Sequence, residues 1–190
     1  FEAYWQTLAD ICGVSLERLP WLRSTIGGER IRASYNAGLT VARRERGIYQ
    51  RCADLFAASL AAGMRPQQGM GTNIYASTGN VGKAGSEYWG SSQAALTLAI
   101  WAATDRVVHY PDHYNVPLHL IAAGSDIDPR WLAHPPVHLH YHWMFAAWRH
   151  EIAIDLLDRL GLPADQRQWL AKRIPLSSAE GKSAAGQAVD

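Results

Sequence analysis

The residues of this 190-residue chain that are best suited to metal chemistry are its eight histidines, all of which lie between residues 109 and 150. Histidine is a common metal ligand and titrates near neutral pH, so this clustering indicates a site. We expect it to hold zinc or another divalent transition metal. The predicted ligands are His109, His113, His119, His134, His138 and His142.

The spacing of the histidines refines this prediction. His138 and His142 are four residues apart, so on a helix they project from one face about one turn apart. His134 precedes His138 by the same interval. On such a helix His140 points away from this face, as a surface residue or one that supports a ligand. The alternation in 137–143 also fits a strand with histidines on one face, but the preceding prolines favour a helix.

The segment 98–119, LAIWAATDRVVHYPDHYNVPLH, resembles the core signature of the zinc-dependent phospholipase C and S1–P1 nuclease group. In that all-α group a buried helix ends in a ligand histidine, an acid follows four residues later, and Pro-x-His closes the motif. The matching positions here are His109, His113 in place of the acid, with Asp112 one residue earlier, and Pro117-Leu118-His119.

The resemblance extends to residue 142, because the group carries His-x3-Glu on a following helix. His134 with His138, or His138 with His142, falls in that region. The chain has no histidine before residue 109, and it has Phe1 where the group has tryptophan. The resemblance therefore implies one or two metal ions rather than three.

The predicted activity is metal-dependent hydrolysis of a phosphodiester, in a phospholipid or a nucleic acid. A bound divalent ion lowers the pKa of its water toward ~7 and polarises the phosphoryl oxygen. Asp112 would act as general base or bridging ligand, and Arg106 or Arg149 would neutralise developing charge. Aromatic residues in 143–148 favour a lipid substrate, whereas arginines in 30–51 favour a nucleic acid.

Three alternatives remain open. The first is a non-catalytic helical binding or assembly domain, with a structural metal or none. The second is an HNH-like nuclease toxin, since His113, the Val116–His119 segment and the pair His138/His142 faintly resemble its histidine base and metal-binding strand–turn–helix. The third, an oxidative di-iron enzyme, needs more carboxylates than the pattern supplies.

Composition bounds the class of protein. Hydrophobic residues make up 48% of the chain and charged residues 18%, which excludes a disordered chain. No apolar run approaches the ~18 residues of a transmembrane helix. The two cysteines, Cys12 and Cys52, exclude a disulfide scaffold, and Cys52 fits a core position better than a nucleophile. Residues 1–65 hold nine arginines against six acids, a mildly basic half compatible with a phosphate-bearing partner.

The elements that must position the histidines are predicted to be helical. We expect an all-α fold, a single-domain bundle of about five or six helices over 1–175, with a long Gly-rich loop at 64–90 and a disordered tail at 176–190. The central buried helix is 91–110, because it is apolar nearly all round. The other predicted helices are 2–12, 16–22, 29–62, 135–160 and 165–174.

The start of the sequence leads to an expectation about its context. Phe1 is not a methionine, and no signal peptide follows it. We therefore expect a processed protein or part of a longer polypeptide. A secreted or delivered toxin or effector domain, which an inhibitor protein could bind, would fit this pattern better than a cytoplasmic protein.

Overall fold

The protein is mainly α-helical in the residues that the computed structural model describes, which are 2–24, 28–36, 38–69, 75–76, 79–118, 133–140 and 150–174. The helices are α1 Glu2–Cys12, α2 Ile48–Ala61, α3 Gly82–Ser86, α4 Ser91–Ala103, α5 His150–Arg159 and α6 Ala164–Ala171. Single 3-10 turns cover Leu16–Arg18, Arg44–Arg46 and Asp112–Tyr114. No helix in these ranges has the length and apolarity needed to cross a membrane.

Short strands complete the described structure: β1 Trp21–Arg23, β2 Arg30–Arg32, β3 Tyr75–Ala76, β4 Gly79–Asn80, β5 Val116–Pro117 and β6 Leu139–His140. β1 pairs with β2 antiparallel, and β5 pairs with β6 parallel. The predicted glycine-rich segment 64–90 contains α3 and two of these strands, so a loop without secondary structure is not confirmed.

The chain divides into two compact units. The first holds residues 1–74 and 80–109, and the second holds residues 75–79 and 110–190. A single helical bundle is therefore not confirmed. The predicted tail 176–190 lies outside the described residues.

The first unit is built on the packing of α4 against α2, with α1 also packed on α2. Every residue of α4 from Ala94 to Ile100 is buried, which confirms the prediction of a central apolar helix. This helix ends at Ala103, not at residue 110. Thr104 is extended, and its side-chain oxygen accepts the backbone N–H of Arg106 at 3.0 Å, a local bond that competes with helix continuation.

Two other predicted helices of the first unit are wrong in extent. Within the described residues of the predicted 29–62 helix, only 48–61 is α-helical, because Arg30–Arg32 pairs as a strand and Gly47 adopts φ 61° just before α2. The predicted helix 16–22 is only a 3-10 turn at Leu16–Arg18, because Leu19 precedes Pro20 and is extended.

The second unit has its own apolar core, in which β5 packs with α5 and the segment that follows α6. Its fully buried side chains include Val116 and Leu156. An ion pair between Asp158 and Arg167 joins α5 to α6, and the hydrogen bond from Arg167 lowers the pKa of the Asp158 carboxyl. The helix α6 confirms the prediction for 165–174 to within a few residues.

The predicted helix 135–160 is wrong over its first part. Leu139–His140 is a strand, and the described helix starts at His150. The backbone of the 137–140 segment finds partners in 113–117 instead of forming i→i−4 bonds, because Val137 N–H donates to the His113 carbonyl and the His138 carbonyl accepts Val116 N–H. Residues 141–149 lie outside the described part of the chain.

Candidate metal-binding site

Parallel pairing of β5 with β6 brings histidines from two segments together. The Val137 N–H to His113 O distance is 2.9 Å, and the Val116 N–H to His138 O distance is 3.0 Å. His113, in the 3-10 turn before β5, and His138, just before β6, therefore lie on adjacent segments of the backbone, although they are 25 residues apart in sequence.

The ring of His138 has a hydrogen-bond partner in Asn115. Its Nδ1 lies 3.0 Å from the amide oxygen of Asn115, which can only accept, so Nδ1 carries the proton and donates. In the neutral imidazole the lone pair is then on Nε2. This is the arrangement that orients a metal-binding histidine, whose second nitrogen usually donates to a carboxylate, carbonyl or amide group.

A second pair of histidines, His113 and His134, lies close together in space. The ring centres of His113 and His134 are 4.9 Å apart, with an angle of 54° between the planes. Zn–N bonds are about 2.0–2.1 Å long, so two rings at this separation can reach one ion by small side-chain rotations. His134 is exposed and His113 is half-buried, which leaves the pair accessible.

His140 is placed differently from the helical prediction. In an extended chain residues two apart lie on the same side, and the ring centres of His138 and His140 are 6.4 Å apart. The prediction that His140 points away from His138 is wrong for this reason. The alternative strand interpretation of the His-Leu-His alternation describes residues 138–140 correctly.

The ligand set is incomplete within the described residues. No group of three or more histidine, cysteine, aspartate or glutamate side chains in that part of the chain could hold a metal ion. The predicted ligands His119 and His142, and the predicted charge-neutralising Arg149, lie outside the described residues. Their roles stay predictions.

The two other predicted catalytic residues fall in different units. Asp112 begins the 3-10 turn that leads to His113 in the second unit, and it is half-buried. Arg106 is exposed and lies in the first unit, three residues after the end of α4.

His109 belongs to the first unit, and there it contacts Tyr35. Its Nε2 is 2.9 Å from the Tyr35 hydroxyl, which also accepts the indole N–H of Trp101 at 3.0 Å. Thr97 Oγ1 accepts the backbone N–H of Tyr35 at 3.2 Å, and burial raises the pKa of the Tyr35 phenol. With Nε2 occupied by Tyr35, Nδ1 is the nitrogen of His109 that a metal could use.

We expect Tyr35→Phe to lower the free energy of unfolding by about 1–2 kcal/mol, since the half-buried Trp101 N–H loses its acceptor. Thermal unfolding followed by circular dichroism measures this loss. The matched control is Tyr49→Phe, because the Tyr49 hydroxyl also donates one hydrogen bond, to the Thr40 carbonyl at 2.6 Å, but is exposed to water. Equal melting temperatures for the two variants would contradict a stabilising role for the hydrogen bond from Trp101 to the Tyr35 hydroxyl.

Cys52 has the environment of a core thiol. It is half-buried, lines a largely apolar pocket of about 370 Å³ beside α4, and burial raises its pKa. A raised pKa keeps the thiol protonated and unreactive, in agreement with the core position expected from the sequence.

No protein-family model, curated protein or solved structure matches this chain. The resemblance to the phospholipase C and S1–P1 nuclease group therefore remains a prediction from residues 98–142. The geometry of the site has to be judged from the chain's own residues.

Sequence reasoning missed two side chains that hold the histidines. Asn115 was not singled out, although pairing 116 with 139 places it opposite His138. The predicted helix 29–62 includes Tyr35 without giving it a role, and its contact with His109 joins residues 74 positions apart. A strand assignment for 137–140 would have suggested the contact of Asn115 with His138. No local signal points to the contact of Tyr35 with His109.

Proposed function

We propose that the protein is a metal-dependent hydrolase of phosphodiesters, with zinc or another divalent transition metal bound by histidines of the second unit. The observation that supports this most is the hydrogen bond from His138 Nδ1–H to Asn115, because it places the lone pair of the neutral imidazole on Nε2. The donor set is imidazole, which suits zinc-class ions.

Among the described residues, the proposed ligands are His138 and the neighbouring pair His113 and His134. These three side chains do not form a metal site by themselves in the structure, so the proposal requires His119 or His142 to complete the set. Asn115 orients His138 and selects its tautomer. Asp112, next to His113, would take the proton of the attacking water as general base. A divalent ion bound here would supply the activated water and polarise the phosphoryl oxygen.

The proposed substrate is a phosphodiester of a lipid or a nucleic acid, as the sequence predicts. The proposal includes context within a longer polypeptide, and an inhibitor protein as a partner. Activity on a small diester does not depend on either, so the chemistry can be tested with the chain alone.

Metal removal and restoration tests this proposal. The purified protein is treated with EDTA, desalted and incubated with Zn²⁺, Mn²⁺ or Mg²⁺, and hydrolysis of bis(p-nitrophenyl) phosphate is followed by release of nitrophenolate. We expect no activity after EDTA and recovery with near-stoichiometric Zn²⁺ but not with Mg²⁺ or Mn²⁺, since imidazole ligands suit zinc, whereas Mg²⁺ and Mn²⁺ prefer oxygen ligands. Failure to bind Zn²⁺ in calorimetry would refute the site.

Zinc binding and the choice of substrate separate the hydrolase from the alternative functions. Stoichiometric Zn²⁺ binding without diester hydrolysis would support the non-catalytic binding or assembly domain with a structural metal. Cleavage of DNA but not of phospholipid would support a nuclease, including the HNH-like alternative. The observation that favours that alternative is the strand Leu139–His140, an element it requires and the helical prediction lacked.

A further inference from the structure

One face of the β1–β2 hairpin carries three arginines and a tryptophan. The register pairs Trp21 with Arg32 and Arg23 with Arg30. Side chains alternate along a strand, so these four residues share one face, while Leu22 and Ile31 lie on the other. Leu22 and Ile31 are half-buried, which indicates that the arginine face is the outer one.

The indole of Trp21 is the centre of this outer face. It is 44% exposed, although it is one of the largest apolar side chains in the unit. The guanidinium carbons of Arg32 and Arg30 lie 4.3 and 4.8 Å from the ring centre. These cation–π contacts hold the indole and the guanidinium groups together as one aromatic and cationic surface.

The arginines differ in their charge partners. Arg32 is 16% exposed and fixed by Glu2 at 2.8 Å and by the Leu19 carbonyl at 3.1 Å, so it positions the indole. Arg23 donates to the Gly28 carbonyl at 3.1 Å. Within the described residues, neither Arg23 nor Arg30 has a carboxylate partner within ion-pair distance.

The nearby acid Glu29 does not neutralise this face. Its carboxylate accepts a hydrogen bond from the Ser24 hydroxyl. Ser24 and Glu29 form the next pair along the hairpin, so they lie on the opposite side from Arg23 and Arg30. Two positive charges therefore remain available beside an exposed aromatic ring.

We propose that this face binds single-stranded nucleic acid. A base would stack on the part of the Trp21 indole that Arg30 and Arg32 leave exposed, and Arg23 and Arg30 would contact phosphates. Stacking on aromatic side chains beside a positively charged track is how proteins bind single strands without sequence preference. A duplex hides the faces of its bases, so the single strand is favoured.

A lipid membrane is a weaker fit to the same residues. Interfacial insertion needs an apolar face with several large side chains, whereas here the apolar residues Leu22 and Ile31 are half-buried on the other side. The inference goes beyond the proposed hydrolase and does not rest on it, since the hairpin lies in the first unit and needs no metal.

Fluorescence anisotropy with a labelled oligothymidine of roughly 12 nucleotides tests the proposal, in EDTA at low salt so that no hydrolysis interferes. We expect Trp21→Ala to weaken binding by about 5- to 150-fold, the effect of losing one stacked base. Arg30→Ala should weaken binding and reduce the slope of log K against log salt by about 0.7.

The chain offers a matched control in Trp169→Ala. Trp169 is also an exposed tryptophan, 55% accessible, with the Arg173 guanidinium carbon 3.5 Å from its ring centre, but it lies in the second unit. The Trp169→Ala variant should bind the oligonucleotide with the affinity of the wild type. Trp21→Phe, which keeps an aromatic face, should recover part of the affinity and serves if Trp21→Ala melts at a lower temperature.

Three results would overturn the proposal. These are no binding by the wild type at low salt, equal weakening by Trp21→Ala and Trp169→Ala, and wild-type binding to phosphatidylserine vesicles but not to the oligonucleotide. The last would assign the face to a membrane surface. Loss of metal-dependent hydrolysis with intact oligonucleotide binding would concern the proposed function alone.

Discussion

Replacing His138 by Ala is expected to lower zinc affinity by at least about 100-fold and to abolish diester hydrolysis. The Nε2 of His138, whose ring is oriented by the hydrogen bond from Nδ1 to Asn115, is the best-defined donor of the candidate site, and removing it leaves the remaining imidazoles without an oriented partner. The Asn115→Ala variant, which keeps His138 but loses the hydrogen bond that orients it, should bind zinc about 10- to 100-fold more weakly. Calorimetric titration with Zn²⁺ measures both.

The controls distinguish lost ligation from lost folding. Asn115→Asp keeps an acceptor for His138 Nδ1–H and should bind zinc at least as well as the wild type. His150→Ala removes a histidine outside the predicted ligand set and should leave zinc binding unchanged. His138 is half-buried, so helix content measured by circular dichroism should be unaffected. Full zinc binding by both His138→Ala and His113→Ala would contradict the proposed site.

Replacing Leu98 by Asp is expected to prevent folding of the first unit. Leu98 is 0% exposed and belongs to the core around α4. An uncompensated carboxylate there costs several kcal/mol, comparable with the whole stability of a domain of about 5–15 kcal/mol. The measurement is the yield of soluble protein and the loss of a cooperative thermal transition.

Two other substitutions calibrate this effect. Leu98→Ala should fold but lose about 2–5 kcal/mol, because it removes apolar burial and leaves a cavity. Ser92→Asp places the same carboxylate on the exposed side of the first turn of α4, where the helix dipole favours it, so it should not destabilise. A soluble, cooperatively melting Leu98→Asp variant would show that α4 is not the core helix.

The position of His109 shows how far local reasoning extends. The apolar run before it predicted a buried helix, and that helix exists as α4. The same run did not show where the helix stops, because Thr104 takes an extended conformation with a local side-chain hydrogen bond. His109 consequently lies beyond the helix, and Tyr35 meets it.

Features that depend on composition over a short window could be predicted from the residues alone. The all-round apolar character of 91–103 made α4 buried wherever it packed, and the clustering of histidines limited the candidate chemistry to residues 109–150. The mainly helical class followed from the same periodicity, because each helix closes its hydrogen bonds within its own segment.

Features whose hydrogen-bond partners lie far along the chain depend on the fold and could not be predicted locally. The histidine spacing around Leu139–His140 is compatible with a helix, but the backbone of these two residues pairs with Val116–Pro117. They therefore form a strand instead of the predicted helix. Arg30–Arg32 likewise became a strand through Trp21–Arg23. The tautomer of His138 was decided in the same way, since it depends on an acceptor 23 residues away that no local pattern indicates.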